Sequence, residues 1–228
     1  MPSAILQPDV LAFLRDLAAH NDRDWFNEHK PRYEAAYANF KAYGQAVLDG
    51  LSHSDVLEGV RFHRIYRDIR FSKDKTPYKE NFGGGMTRAT VWRRGGYYFH
   101  IEPGNSFIGG GFWAPNSDDL KRIRQEIAAD AAPLRAILAD ATFRKTFGEL
   151  WGEQLKTAPQ GFDKDHPDID LLRYKQFLIS RSFTDKEVLA PDFVDQTVTT
   201  FARMRPFFDY MSEVLTTDEN GVPLAGLE

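Results

Sequence analysis

The 228 residues include no cysteine. That single absence removes disulfides, thiolate zinc sites and thiol nucleophiles together, and leaves His, Asp and Glu as the only strong metal ligands. There is also no run of about 18 apolar residues, the minimum for a helical membrane span. The start, MPSAILQPDV, lacks the basic-then-apolar layout of a secretory signal, so the expected compartment is the cytoplasm, with no membrane partner. Nucleotide fingerprints are missing as well: the glycines at 83–85 and 109–111 match neither a P-loop nor a dinucleotide motif, and are expected to permit bulges or the close approach of an aromatic ring. No Gly-x-Ser-x-Gly elbow occurs, which argues against a serine hydrolase. Internal repeats and low-complexity tracts are lacking too.

What is present is an ordinary globular composition. Hydrophobic content of 42%, charged content of 27% and aromatic content of 14% exclude disorder, collagen and coiled coil. The whole length, 1–228, is read as one domain. Val10, Leu11, Phe13, Leu14 and Leu17 follow helical spacing, and Trp25 to Val47 continue it on an aromatic-faced second helix in which Pro31 fits a first turn. From 62 to 113 the texture changes to Gly, aromatic and β-branched residues. Strands are expected at 62–69, 82–90, 96–102 and 106–113, with Pro103-Gly104-Asn105 as a tight turn. Asn116 or Ser117 caps a further helix, short helices follow at 133–139 and 141–147, and 157–170 reads as a long ordered loop. Residues 175–183 form another expected strand, Thr184-x-x-Glu187 a capping box, and Val194 to Leu215 one long closing helix. This order lacks regular βα alternation, so the expected fold is α+β: a central, mostly antiparallel sheet flanked by N- and C-terminal helices.

Charge is uneven. The net charge is −4, yet residues 61–79 (RFHRIYRDIRFSKDKTPYK) hold seven cations, Arg61, Arg64, Arg67, Arg70, Lys73, Lys75 and Lys79, against Asp68 and Asp74 alone. Concentrated guanidinium and ammonium groups imply something anionic to neutralise, inside the protein or outside it. If 62–71 is a strand, Arg67 falls between Ile65 and Ile69 on the buried face. A guanidinium there cannot lose its proton and must meet a carboxylate, carbonyls or a ligand anion, with Asp68, Glu102 or Asp170 as candidate counterions. Beyond it, Ser72 to Lys79 reads as a loop stiffened by Pro77 that projects Lys73, Lys75, Tyr78 and Lys79 together.

These residues also resemble a known family. Arg64, Arg67, Asp68, Arg70, Phe71, Asp74, Lys75 and Tyr78 together look like the signature of the bacterial family called domain of unknown function 2461. The resemblance extends to FLRDLAAHNDRDWFNEHKPRYE, GGYYFHIEPG, GGGFWAP, LKTAPQGFDKDHP and LLRYKQF, and covers roughly residues 8–212. It implies a single bacterial domain and brings no activity, substrate or catalytic residue with it.

Two further groups enter the reading. Tyr98, His100 and Glu102 alternate onto one strand face, as a base with its partner or as two metal ligands would, with His63 or Asp68 as a conceivable third ligand; a hydrogen-bonded structural pair is the commoner use of such a pattern, and no metal and no cofactor are expected. Arg173 and Lys175 would share a strand face and could extend the cationic pocket. The function expected is binding of a phosphate-bearing ligand, whether nucleotide, sugar phosphate or nucleic-acid end, through Arg64, Arg67, Arg70, Lys75, Tyr78, Arg173 and Lys175, with Asp68 orienting the arginines. Were there phosphoester chemistry, electrostatic stabilisation would dominate and His100, Glu102 or Asp68 would carry protons. The competing expectation is a structural or protein-interaction module in which the arginines form an internal ion-pair network.

Overall fold

The computed structural model describes residues 4–218 and 220–224. The chain begins with α1 (Pro8–Ala19), α2 (Arg23–Glu28) and α3 (Lys30–Leu51), continues through β1 (Leu57–Phe62), β2 (Phe82–Arg88), β3 (Gly96–Ile101) and β4 (Ser106–Phe112), then α4 (Ser117–Ala129), α5 (Ala132–Ala139), α6 (Ala141–Phe147) and α7 (Ile169–Leu172), and closes with β5 (Phe177–Phe183), α8 (Asp185–Val188), α9 (Phe193–Ala202) and α10 (Arg205–Thr216). The strands form one antiparallel sheet in sequence order, β1-β2-β3-β4-β5, giving an α+β fold. Among the described residues no helix is long and apolar enough to cross a membrane.

The helix signals in the sequence act as expected. Asn116 caps α4 by accepting from the Asp118 and Asp119 N–H groups, and Thr184 with Glu187 closes a reciprocal capping box on α8. Three expectations need correction. The aromatic second helix is two helices, because Pro31 lies in the first turn of α3 and α2 ends before it. The closing helix is likewise two, α9 and α10: Pro206 lies in the first turn of α10 and cannot continue the hydrogen bonding of α9. Residues 62–69 do not form a strand. The first strand ends at Phe62, and beyond it only an isolated bridge, Tyr66 to Tyr78, joins the two sides of the basic segment.

The chain divides into two compact units: Met1–Met86, Tyr98–Ile108 and Ser182–Thr199 form the first, and Thr87–Tyr97, Gly109–Arg181 and Thr200–Glu228 the second. In the first unit, α1 and α3 cover one sheet face with an aromatic cluster. Phe40 lies 5.3 Å from Phe82 and 5.6 Å from Phe99, and Tyr43 meets Phe99 edge-on while stacking on Phe193 at 5.3 Å. Tyr43 is fully buried, and its hydroxyl donates to Thr197 Oγ1, which itself donates to the Phe193 carbonyl. The β3–β4 turn is built by Pro103 and Gly104: Asn105 N–H bonds to the Glu102 carbonyl, and Gly104, at φ +72°, occupies the left-handed position of a type II turn.

In the second unit, Tyr97 packs between Phe201 and Phe208, at 4.9 and 5.0 Å. Beside them is the one arginine that is buried among the described residues. Arg88, with a side chain 2% exposed, pairs with Asp209, bonds to Ser212 and lies over the Phe208 ring.

The sheet comes close to Phe99 only because β2 carries Gly84 there: a Cβ at that position would lie 2.7 and 2.8 Å from the Phe99 ring. Phe99 is fully buried and has no room to retreat. Gly84→Ala is therefore expected to lower unfolding free energy by about 1–3 kcal/mol in urea melts, and Phe99→Leu in the same chain to recover part of that loss.

Candidate functional site

The basic segment is a pinned loop in the first unit. Arg67 N–H donates to the Pro77 carbonyl and Lys79 N–H to that of Ile65, so the two flanks run side by side. Tyr78 anchors it: the residue is 4% exposed, its ring lies flat on Phe26 at 4.0 Å, and Asn21 bonds both its N–H and its carbonyl. Ile65 is buried with it, which is the only part of the expected buried face that forms.

Arg67 is not buried between isoleucines. Its side chain is 29% exposed and bonds to Asp74 and Thr76, with Asp74 itself 56% exposed. The counterion is thus none of Asp68, Glu102 or Asp170. Asp74 also accepts from Thr76 N–H and the Thr76 hydroxyl; these bonds, the backbone one foremost, with the Arg67 guanidinium, hold its carboxyl down at about 2. Asp68 grips Arg70 through both carboxylate oxygens, at 3.0 and 2.7 Å, and that pairing keeps its own carboxyl below the usual range. Being held ionised, Asp68 is a poor proton carrier at neutral pH. Lys75 Nζ donates to the Ile69 carbonyl. Both carboxylates of the segment are thereby consumed, and Arg61, Arg64, Lys73, Lys75 and Lys79 form no ion pair among the described residues. At the tip stands Phe71, 96% exposed.

Next to this loop, the sheet face opposite the aromatic cluster bears a polar chain. Tyr98 Oη lies 3.1 Å and Asn81 Nδ2 3.3 Å from His100 Nδ1, and His100 Nε2 lies 2.8 Å from Glu102 Oε2. Two donors aimed at Nδ1 assign the proton to Nε2, which donates to Glu102. Asn105 donates to the same Glu102 oxygen, and the His100 ring stacks on Phe107 at 4.7 Å. Burial, then the Glu102 charge, raises the Tyr98 hydroxyl pKa. The His63 ring sits 5.7 Å from that of Tyr98, and burial, followed by the charges of Lys79 and Arg61, lowers its pKa so that it is neutral at pH 7. His63 therefore joins the two ends of the basic segment to the Tyr98–His100–Glu102 chain. The period-two spacing revealed that chain in the sequence; Asn81 and Phe107, from neighbouring strands, carried no signal of their own.

A family model described as conserved hypothetical protein (DUF2461) matches residues 9–210. The chain belongs to the DUF2461 family. No curated protein and no solved structure matches it. In this DUF2461 chain the signature residues fall into two structural roles: Arg67, Asp68, Arg70, Asp74 and Tyr78 shape the loop, while Arg64, Phe71 and Lys75 are exposed on it.

The remaining expected site residues lie in the second unit. Arg173 is the C-cap of α7 rather than part of a strand, and its Nε is buried without a hydrogen-bond partner among the described residues. Lys175 is neutralised by Glu153 at 2.7 Å. Among the described residues no three His, Asp or Glu side chains group as a metal site.

Two outcomes follow. Arg67→Ala should change stability no more than an ordinary surface substitution, whereas Arg88→Ala should cost on the order of 3 kcal/mol, both read from urea melts. Asp74 should titrate near 2 by carboxyl NMR, against 3.8 for a free side chain, and rise only part of the way in Thr76→Val, which keeps the backbone N–H and Arg67 bonds. Because the folded value lies below the unfolded one, its stabilising contribution is complete above 3.8 and is lost as pH falls toward 2.

Proposed function

We propose that this DUF2461 chain is a binding domain for a phosphate-bearing ligand, a nucleotide or nucleic-acid end, held by the basic loop. The setting proposed with it is the bacterial cytoplasm, where such ligands are abundant. One observation carries the reading: five of the seven cations in residues 61–79 have no carboxylate partner among the described residues, while the loop that bears them is stapled by its own two acids. Multiply charged phosphate suits such a surplus, with guanidinium forks and ammonium point charges both available.

Phe71 favours a ligand with a base. A fully exposed phenyl ring between Arg70 and Ser72 loses apolar surface to water and contributes no packing, but offers a face on which a nucleobase stacks. The ligand set proposed is Arg64, Phe71, Lys73 and Lys75, with Arg61 and Lys79 near His63. Arg67, Asp68, Arg70 and Tyr78 are positioning residues, and the pairing of Arg67 and Arg70 favours a structural role for those two. If a phosphoester is turned over, neutral His63 and the Tyr98–His100–Glu102 chain are the groups able to accept or pass a proton there.

The test is fluorescence anisotropy with a short 5′-labelled single-stranded oligonucleotide at low salt, with AMP and inorganic phosphate as competitors. Affinity should fall as salt rises, Arg64→Gln and Lys73→Gln should each weaken binding, and Phe71→Ala should cost about 1–3 kcal/mol toward oligonucleotide and AMP while leaving phosphate competition intact. Absence of any binding at low salt, in a chain that remains folded, would assign the loop to protein interaction.

A further inference from the structure

A second cationic site lies in the other unit, on residues that play no part in the basic loop. A cavity of about 470 Å³ is lined by Ala141, Thr142, Lys145, Thr146, Arg181 and Arg203. That volume falls in the range of small-molecule pockets, about 300–1,000 Å³, and is more than a bare ion needs. Three of the six lining residues are cations, two carry hydroxyls, and none is acidic or aromatic.

The sequence explains how these groups meet. Thr142, Lys145 and Thr146 are three and four residues apart on α6, so they share a face. Arg203 occupies the break between α9 and α10, a break imposed by Pro206 rather than by the ligand. Its guanidinium is aimed by a relay: Nη1 donates to Thr146 Oγ1 at 3.1 Å, and the Thr146 hydroxyl in turn donates to the Thr142 carbonyl at 2.7 Å. Arg181, on β5, is held by Thr200, to whose Oγ1 its Nη1 lies at 3.4 Å. Lys145 is exposed and forms no ion pair among the described residues.

We infer that this cavity binds the phosphate group of a small, non-aromatic phosphomonoester such as a sugar phosphate. The Arg203 guanidinium, fixed through one N–H, suits the several oxygens of a phosphate dianion, and the Lys145 ammonium adds charge without geometric demand. The Thr142 hydroxyl, and a cavity larger than the ion, leave room for a hydroxylated remainder. The lack of any ring in the lining separates this ligand from the base-bearing one proposed for the loop, and the two sites stand or fall independently.

Isothermal titration calorimetry at low ionic strength, in an Arg64→Gln, Lys73→Gln chain whose basic loop is weakened toward phosphate, with glucose 6-phosphate as probe and glucose and inorganic phosphate beside it, decides the matter. Saturable binding of glucose 6-phosphate, none of glucose, and a weakening of about tenfold or more in each of Lys145→Gln and Arg203→Gln are expected. Both residues are exposed, so the variants should keep the circular dichroism and melting temperature of the chain they are made in. No saturable heat with glucose 6-phosphate, or binding that survives both Lys145→Gln and Arg203→Gln, overturns the proposal. Inorganic phosphate binding as tightly as glucose 6-phosphate overturns its phosphomonoester part.

Discussion

The first unit depends on how closely β2 approaches Phe99. The Phe99 ring fills space that a side chain on Gly84 would occupy and also lies 3.0 Å from where a Cβ on Gly44 would be. Two glycines, one on a strand and one on a helix, thus let α3 and the sheet close on a single phenyl ring. Phe40, Tyr43 and Phe62 then surround it. With this face of the sheet dry and aromatic, the alternating residues of β3 are turned the other way, and Tyr98, His100 and Glu102 share the polar face because Tyr97, Phe99 and Ile101 share the buried one. The polar chain is therefore a consequence of the core. The turn through Pro103 and Gly104 then sets Glu102 at the end of that chain.

Much of this was legible in the sequence. Helices announced by caps and apolar spacing formed where expected, and so did the strands from β2 onward, since both are governed by local periodicity. The two helices read as continuous were misjudged for one reason: Pro31 and Pro206 are tolerated in a first turn, and the apolar pattern runs through the break without marking it. The basic segment was misjudged for another. Ile65, Arg67 and Ile69 have strand spacing, but two local acids, Asp68 and Asp74, offer the backbone and side chains an Asx-type loop whose bonds are made within a few residues. Local pairing won over sheet pairing.

The same competition explains where the buried guanidinium lies. From pattern alone Arg67 looked like the cation that must find a counterion in the interior, yet its partner is seven residues away and half in water. Arg88 is the residue that meets that description, and nothing in its neighbourhood of sequence, Met86 to Thr90, advertises it; its partners Asp209 and Ser212 come from α10. Burial of a charge is decided by long-range packing, whereas a cluster of charge is visible in the chain itself. The sequence therefore marks the candidate loop and the His100–Glu102 pair, but does not sort structural arginines from available ones, nor bring together Lys145, Arg181 and Arg203 from three distant stretches of chain.

That sorting changes what the loop can do. Had all seven cations been free, mutual repulsion would favour an open, fluctuating segment, and a ligand would have to supply the ordering. With Asp74 bound to Arg67 and Thr76, Asp68 bound to Arg70, and Tyr78 seated on Phe26, the backbone is fixed before any ligand arrives. The cations left over are displayed from an ordered scaffold, so less conformational entropy is lost on binding than an isolated polybasic stretch would lose. The acids that dilute the charge also order it: each carboxylate neutralises one arginine and holds its neighbours in place. In the function proposed here, cations ordered internally and left unneutralised externally are what an anion would meet, in contrast to a network that only stabilises the fold, where every guanidinium would be matched as Arg88 is by Asp209.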